Sequence, residues 1–526
     1  MKLRRLWIEN YHILQDVTIP FEKSSLLNYK TNMHYFIGLN GSGKSTALEA
    51  IGLIFSHLAI DVKPGLNFEL EYDKEKEKFL ITTRFDELDI NPLNPIGVAI
   101  FIRFSEEEEW KPIDNWESYK DKVLPDRIVG YSTGPTSNLH WALSHSVERY
   151  VAHEMGQFEL EKIPNFLTLK EWEKQRQMYI EEAERRKFIY LDNPRTLFLS
   201  SNDAMCAVLP LLLNKNGIGQ DSVKYQEERY KILSRVGLDC NEPIVAFSLC
   251  IKGEWYEKMT KSRRRVLEDL LQYATVKMAI EPDIDQVQKG EKLSTRDFYA
   301  VFEVDHEFWN QKIPMFTPLH FFEELLAWKR QEGIKSIHLF VKRQSISEIL
   351  TEDSFSDGEY LVLGRFALLL MLRQVSHTLI LLDEPETYLN DRWKQDLVHD
   401  LFKLLDSGRV DLDSTSEHEV IIATHSAVTI SDAAAEAVIV FKNDGERITI
   451  DSPSIRTFGA DIANLSEELA DQATTVGYFS EEYLKAYLKK YCKNPKKLME
   501  ILDLIGPGAL KVDFIEAVRR ARKNAF

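Results

Sequence analysis

Ser356-Asp357-Gly358-Glu359, an apolar segment from Tyr360 to Met371, and then Thr378-Leu379-Ile380-Leu381-Leu382-Asp383-Glu384-Pro385-Glu386-Thr387-Tyr388-Leu389-Asn390 form the stretch whose reading decides the fold. The apolar run from Leu379 to Leu382 has no polar alternation, the pattern of a parallel strand buried on both faces. Such a strand delivers Asp383 and Glu384 at its C-terminal end, where open α/β sheets hold their ligands. There one carboxylate can orient a Mg²⁺ ion while its neighbour polarises a water for attack on a phosphate. An apolar run ending in Asp-Glu is also how an ordinary strand ends. Three further segments decide between the two.

The first is Gly38-Leu39-Asn40-Gly41-Ser42-Gly43-Lys44-Ser45-Thr46, which matches the phosphate-loop pattern G-x-x-x-x-G-K-[ST]. Its context fits: Met33 to Ile37 predicts a strand before it, and Ala47 to Leu58 an apolar helix after it. The glycines let backbone N–H groups wrap a phosphate at a helix N-terminus, where the dipole favours negative charge. Lys44, on an exposed loop, is suited to neutralise the β- and γ-phosphates, and the Ser45 hydroxyl to ligate Mg²⁺.

The second is Phe355-Ser356-Asp357-Gly358-Glu359, with Ser356 placed 27 residues before Asp383. Ser356 is a good N-cap for the apolar segment that follows, and Gly358 lets a phosphate approach the backbone. The third is Val420-Ile421-Ile422-Ala423-Thr424-His425-Ser426, another buried strand with a histidine at its end. Alone, either is routine: a helix start and a structural histidine.

In this order the four segments resemble the ABC-type ATPase superfamily: a phosphate loop, a signature like L-S-G-G-Q/E, a Walker B strand with Asp-Glu-Pro, and a histidine switch. They are similar in particular to its soluble branch, which includes the SMC, RecF and OLD proteins. The run Asp383 to Asn390 resembles the D-E-P-E-x-x-L-[HN] of ATPases in bacterial anti-phage and restriction-associated loci. Leu124 to Gly134, Phe188 to Asp192 and Thr457 to Asp461 are similar to that group too, and the layout resembles the ATPase subunit of Septu systems, including its retron-linked form.

The resemblance implies an α/β fold: a two-lobed ABC-type ATPase head (a P-loop NTPase) with a mainly helical insert and a helical C-terminal region. It implies ATP and Mg²⁺ as cofactors. Asn40, Gly41, Gly43, Lys44, Ser45 and Thr46 would bind nucleotide, with Ser45 and Asp383 on the metal. Glu384 would act on the attacking water, and His425 would contact the γ-phosphate. Ser356 and Gly358 of one subunit would meet the γ-phosphate held by Lys44 of another, in a head-to-tail dimer or higher oligomer, with Asn390 near the dimer axis. The implied role is a subunit of a phage-defence complex that senses or regulates and controls a separate, co-encoded nuclease. Two rivals stand beside it: a RecF-like DNA-repair ATPase, and an ATP-binding assembly module with little turnover. Relatives place a glutamine at the end of a lobe strand to sense Mg²⁺ and the γ-phosphate. This chain has none between Gln15 and Gln157, so Tyr131, Ser132 or Thr133 must stand in and slow hydrolysis is expected.

At 526 residues, 44% hydrophobic and 28% charged, the chain has room for a large core and two or three structural units. The expected division is 1–140 for the first lobe, 141–349 for the insert, 350–475 for the second lobe and 476–526 for a basic helical region. In the insert, Trp172 to Arg186, Asp203 to Leu213 and Arg263 to Met278 predict helices; Ile244 to Cys250 and Ile337 to Val341 predict strands. The basic clusters Arg185-Arg186-Lys187 and Arg263-Arg264-Arg265 fit helix ends better than a DNA surface. No run reaches a membrane span, no signal-peptide pattern opens the chain, and Cys206, Cys240, Cys250 and Cys492 show neither zinc nor disulfide spacing. A cytoplasmic protein without membrane contact is expected. A formal net charge of −17 argues against a generic nucleic-acid-coating surface. From Tyr483 onward, however, eleven Lys/Arg stand against four Asp/Glu. That tail is open to three readings: it holds nucleic acid, docks on an acidic partner, or is a solvated helical face. Neither the room nor the acidic pattern of a Toprim nuclease follows His425, and there is no H-N-H pattern.

Overall fold

The computed structural model describes residues 1–22, 31–84, 97–105, 107–132, 138–144, 195–214, 222–258, 261–280, 296–307, 309, 317–331, 333–373, 375–406, 418–470, 478–502, 504–506 and 509–523. Phe188 to Asp192, the helix expected at Trp172 to Arg186, the Arg185–Lys187 cluster, Thr133 and Gly134 lie outside them. The chain divides into two compact units, Met1–Gly459 and Ala460–Phe526. Among the described residues no helix is long and apolar enough to cross a membrane.

Among the described residues, three sheets build the first unit. The first is antiparallel and six-stranded: β1 (Lys2–Tyr11), β2 (Leu14–Pro20), β4 (Phe68–Lys74), β5 (Glu77–Thr82), β6 (Ala99–Arg103) and β7 (Lys111–Pro112), in the order β2-β1-β4-β5-β6-β7. β4 alternates buried and half-buried residues along its whole length, as expected of a strand with one face in a core.

The second sheet runs β18-β17-β3-β16-β15-β8-β9. Its members are β3 (Asn32–Ile37), β8 (Arg127–Ser132), β9 (Thr196–Leu199), β15 (Thr378–Asp383), β16 (Glu419–Thr424), β17 (Val438–Asn443) and β18 (Ile448–Asp451). All its pairings are parallel except the β17–β18 hairpin. Leu379, Ile380, Leu381 and Leu382 of β15 are at most 1% exposed, which accounts for the uninterrupted apolar run. Each such side chain contributes about 1.5–3 kcal/mol by burial, so this strand is fixed by its two covered faces. The helix Lys44–Ala59 covers one face, its Ile51, Ile54, Phe55 and Leu58 fully buried in one core with Leu379, Leu381 and Ile421. Beyond β17, residues 444–447 turn the chain back into β18 as the antiparallel edge.

The third sheet is antiparallel, β11-β12-β10-β13-β14, from β10 (Ile244–Ile251), β11 (Val276–Ala279), β12 (Phe298–Glu303), β13 (Ile334–Arg343) and β14 (Ile346–Thr351). The stretch 141–349 therefore carries a sheet as well as helices. One expectation fails outright: Arg263 to Met278 is not one helix. Helix ends at Leu271, and Val276–Ala279 pairs with β12 as an edge strand. The second unit holds the helices Ile462–Ala470, Tyr478–Tyr491, Pro495–Leu502 and Ala509–Lys523. Leu498, Phe514, Val518 and Ala521 form its small core.

Candidate functional site

Strand order sets the site. In register, Ile37 of β3 stands opposite Thr424 of β16, Ala423 opposite Asp383 of β15, and Asp383 opposite Ser132 of β8. The loop leaving β3 and the ends of β15 and β16 thus converge at the C-terminal edge of one parallel sheet, the usual ligand edge.

Gly43 caps the helix Lys44–Ala59 with φ 98°, a left-handed conformation that a side chain resists. Lys44 is buried, 5% exposed, rather than on an exposed loop. Its Nζ donates to the carbonyls of Gly38 at 2.7 Å and Leu39 at 3.0 Å. Burial lowers the Lys44 pKa, against the pull of Glu384, Asp383 and Glu386. Asn40, Gly41 and Ser45 are exposed, and Thr46 is half-buried beside them. Asn443 of β17 donates its Nδ2 to the Gly41 carbonyl at 3.0 Å and so ties down the loop, a role no local pattern announced.

The Ser45 hydroxyl donates to Asp383 Oδ1 at 2.9 Å. Burial raises the Asp383 pKa, while the Ser45 hydrogen bond and Lys44 pull it back. A hydroxyl and a carboxylate oxygen in contact are the hard donors that Mg²⁺ prefers, so the pair fits that ion.

Glu384 leaves the strand with φ 49°, a left-handed turn that costs a non-glycine residue about 1–2 kcal/mol. Its N–H donates to the Ala423 carbonyl at 2.9 Å, which anchors the turn against β16. The Glu384 carboxylate meets Nδ1 of His425. Burial and the neighbouring Glu386 push the Glu384 pKa up to about 7, against the pull of His425 and Lys44. Glu386, in the quoted run but not singled out from sequence, is 3% exposed and accepts a hydrogen bond from the Thr424 hydroxyl. Ligand atoms of Glu384, Glu386 and His425 all lie within 4.8 Å of one another.

Ser356 caps the helix Asp357–Leu372 in a capping box. Its Oγ accepts from the Glu359 N–H at 3.3 Å, and the Glu359 carboxylate accepts from the Ser356 N–H at 2.8 Å. Arg343 of β13 donates to Glu359 at 3.1 Å. Burial pushes the Glu359 pKa up, but Arg343 and Ser356 outweigh it and hold the carboxyl below its usual value. A Cβ on Gly358 would lie 2.9 Å from the Tyr388 carbonyl, so only glycine lets the helix start approach the turn after Glu384. A cavity of 780 Å³ opens here, lined in part by Phe355, Asp357, Tyr360 and Tyr388. Asn390 caps the next helix, Asp391–Asp406, its Oδ1 accepting from the Trp393 N–H at 2.9 Å.

The chain therefore gathers Lys44, Ser45, Asp383, Glu384 and His425, whereas the contacts of Ser356 and Gly358 lie with Glu359, Tyr388 and Trp393. Of the residues that could replace the missing glutamine, Tyr131 points away: its hydroxyl accepts from Arg365 Nη2 at 2.8 Å on the helix Asp357–Leu372. Among the described residues Ser132, buried and in register with Asp383, lies beside the site.

Residues 1–233 match the family model described as "AAA ATPase domain". No curated protein matches the chain. Among solved structures, the SMC head domain from Thermotoga maritima is 11% identical, covering 86% of this chain and 100% of its own, with a TM-score of 0.32. The recombination mediator RecF is 12% identical over 85% of this chain and 97% of its own, with a TM-score of 0.27. An Smc head domain from Pyrococcus furiosus, bound to the C-terminal domain of ScpA, is 11% identical over 86% and 96%, with a TM-score of 0.30. By its phosphate loop, the strand order around that loop and the family model matched over residues 1–233, the chain is an ATPase with a P-loop fold.

Proposed function

We propose that this chain binds ATP with Mg²⁺ on the loop 38–46 and hydrolyses it within a head-to-tail pair. The observation that carries the reading is the 2.9 Å contact of Ser45 with Asp383, beside the Glu384–His425 pair. When bound, Mg²⁺ supplies charge neutralisation on the phosphate oxygens, held by Ser45 and Asp383. Lys44 exchanges its two loop carbonyls for phosphate oxygens. Glu384 orients and polarises the attacking water, and His425, against its carboxylate, meets the γ-phosphate. Ser356 and Gly358 present the capped helix end to the nucleotide of the partner subunit, where its backbone N–H groups favour an anion. The shorter Ser132 in place of a glutamine makes turnover slow.

Ser356→Arg tests the pairing. It should abolish ATP-dependent association, read by crosslinking across the interface, while ATP affinity within one subunit stays. Ser356→Ala, which costs the cap about 1 kcal/mol without adding bulk, separates cap loss from blockage. Association that survives Ser356→Arg rules out the head-to-tail geometry.

The same reading extends to a regulatory subunit of an anti-phage complex that controls a separate nuclease. It is supported by the run Asp383 to Asn390, which is similar to that of defence-associated ATPases. The purified chain should leave DNA and RNA uncut with Mg²⁺ or Mn²⁺ and support cleavage only with a co-encoded effector. Metal-dependent cutting by the chain alone, persisting in Lys44→Ala, would point to a second active site. ATP-dependent DNA binding by the isolated pair would favour RecF-type repair instead.

A further inference from the structure

Lys489, Lys490, Lys493, Lys496 and Lys497 fall within nine residues of the second unit. They sit on the corner where the helix Tyr478–Tyr491 turns through residues 492–494 into the helix Pro495–Leu502. All five are exposed, and no Asp or Glu lies between Glu482 and Glu500. Lys497 has Glu500 at 3.4 Å; the other four have no ion pair among the described residues, and Lys490 lies over the Tyr491 ring at 5.3 Å.

The fold's own electrostatics explain only half of this. Lys489 and Lys490 sit in the last turn of their helix, where the dipole favours cations. Lys496 and Lys497 sit in the first turn of the next, where it opposes them. Arg522 adds to the same face: its Nη2 lies 2.8 Å from Met499 Sδ, and Met499 is a helix neighbour of Lys496, three residues on. The nearby carboxylates Glu500 and Glu516 each have a cation of their own, Lys497 and Arg520. Tyr483, 55% exposed, offers a ring on the same helix. In a chain of net charge −17, this concentration of exposed cations is a local positive surface suited to an external anion.

We propose that this lysine corner binds the phosphate backbone of a nucleic acid, independently of ATP. Lysines are point charges suited to a flexible line of phosphates, whereas an acidic protein surface is better met by the bidentate fork of arginine. Four released counterions predict a slope of log affinity against log salt of about −3 for single strands and about −3.6 for duplex.

The test uses the full chain and labelled, mixed-sequence DNA and RNA of about 20 nucleotides, with fluorescence anisotropy from about 50 to about 200 mM KCl. Affinity should fall about 50- to 150-fold across that range. The variant K489E/K490E/K493E/K496E should lose about 100-fold or more at the low end and flatten the slope. The matching four-fold Lys→Gln variant should fall between the two, with unchanged far-ultraviolet circular dichroism and an unchanged thermal melt of the full chain as the folding control. No binding by the parent, equal binding by the charge-reversed variant, or a flat salt response overturns the proposal. A protein effector retained by the parent and lost by the variant, without nucleic-acid binding, overturns it too and assigns the corner to that partner.

Discussion

Glu384 carries the tension of the site: a left-handed backbone, a buried flank and Glu386 beside it hold its carboxyl at about 7. The folded state therefore keeps this proton more tightly than the unfolded chain, whose glutamate titrates near about 4.3. A raised acid pKa contributes stability that is fully present below the unfolded value and is lost as pH rises through the folded one. In nucleotide-free protein, Glu384→Gln has no such loss. Its Tm advantage over the parent should widen between about pH 4.5 and 7 and level off above; a constant difference would remove the strain from Glu384. Lys44→Ala removes the ammonium that faces the phosphates. ATP affinity should fall by about two to three orders of magnitude. Tm should stay nearly unchanged, because each lost loop hydrogen bond is worth only about 1 kcal/mol and the cost of burying Lys44 disappears with it. Unchanged ATP affinity in a titration would dismiss the assigned loop.

At the scale of elements, β15 and β16 were legible because a strand buried on both faces leaves an unbroken apolar run, and each run leads into a residue with chemistry; β3, interrupted by His34, was legible from the phosphate loop that follows it. The capping box was half legible: Ser356 reads as an N-cap, but Arg343 reaches Glu359 from β13, which the sequence places sixteen residues away. The edge strands β11 and β14 escaped because their side chains are mostly exposed, so no buried alternation marks them. Asn443 escaped for a different reason: its partner, the Gly41 carbonyl, is 402 residues away. Asn443→Ala should loosen the loop and weaken ATP binding about three- to tenfold, the worth of one hydrogen bond. Affinity equal to the parent's would make that tie incidental.

For the whole molecule, the order of four motifs made the ATPase legible, and the parallel sheet explains why three of them, so distant in sequence, meet. Charge distribution was legible too, but its use was not: only the helix ends show that Lys496 and Lys497 oppose their own dipole. What joins residue and molecule is the claim that Asp383 and Glu384 divide the work, one on the metal and one on water. The direct test is hydrolysis of bound ATP under single-turnover conditions by the parent and by Glu384→Gln. The variant should bind ATP with parental affinity and hydrolyse it about 100-fold or more slowly, the contribution expected of a positioned general base. Hydrolysis at the parental rate would contradict the account and put the catalytic base elsewhere.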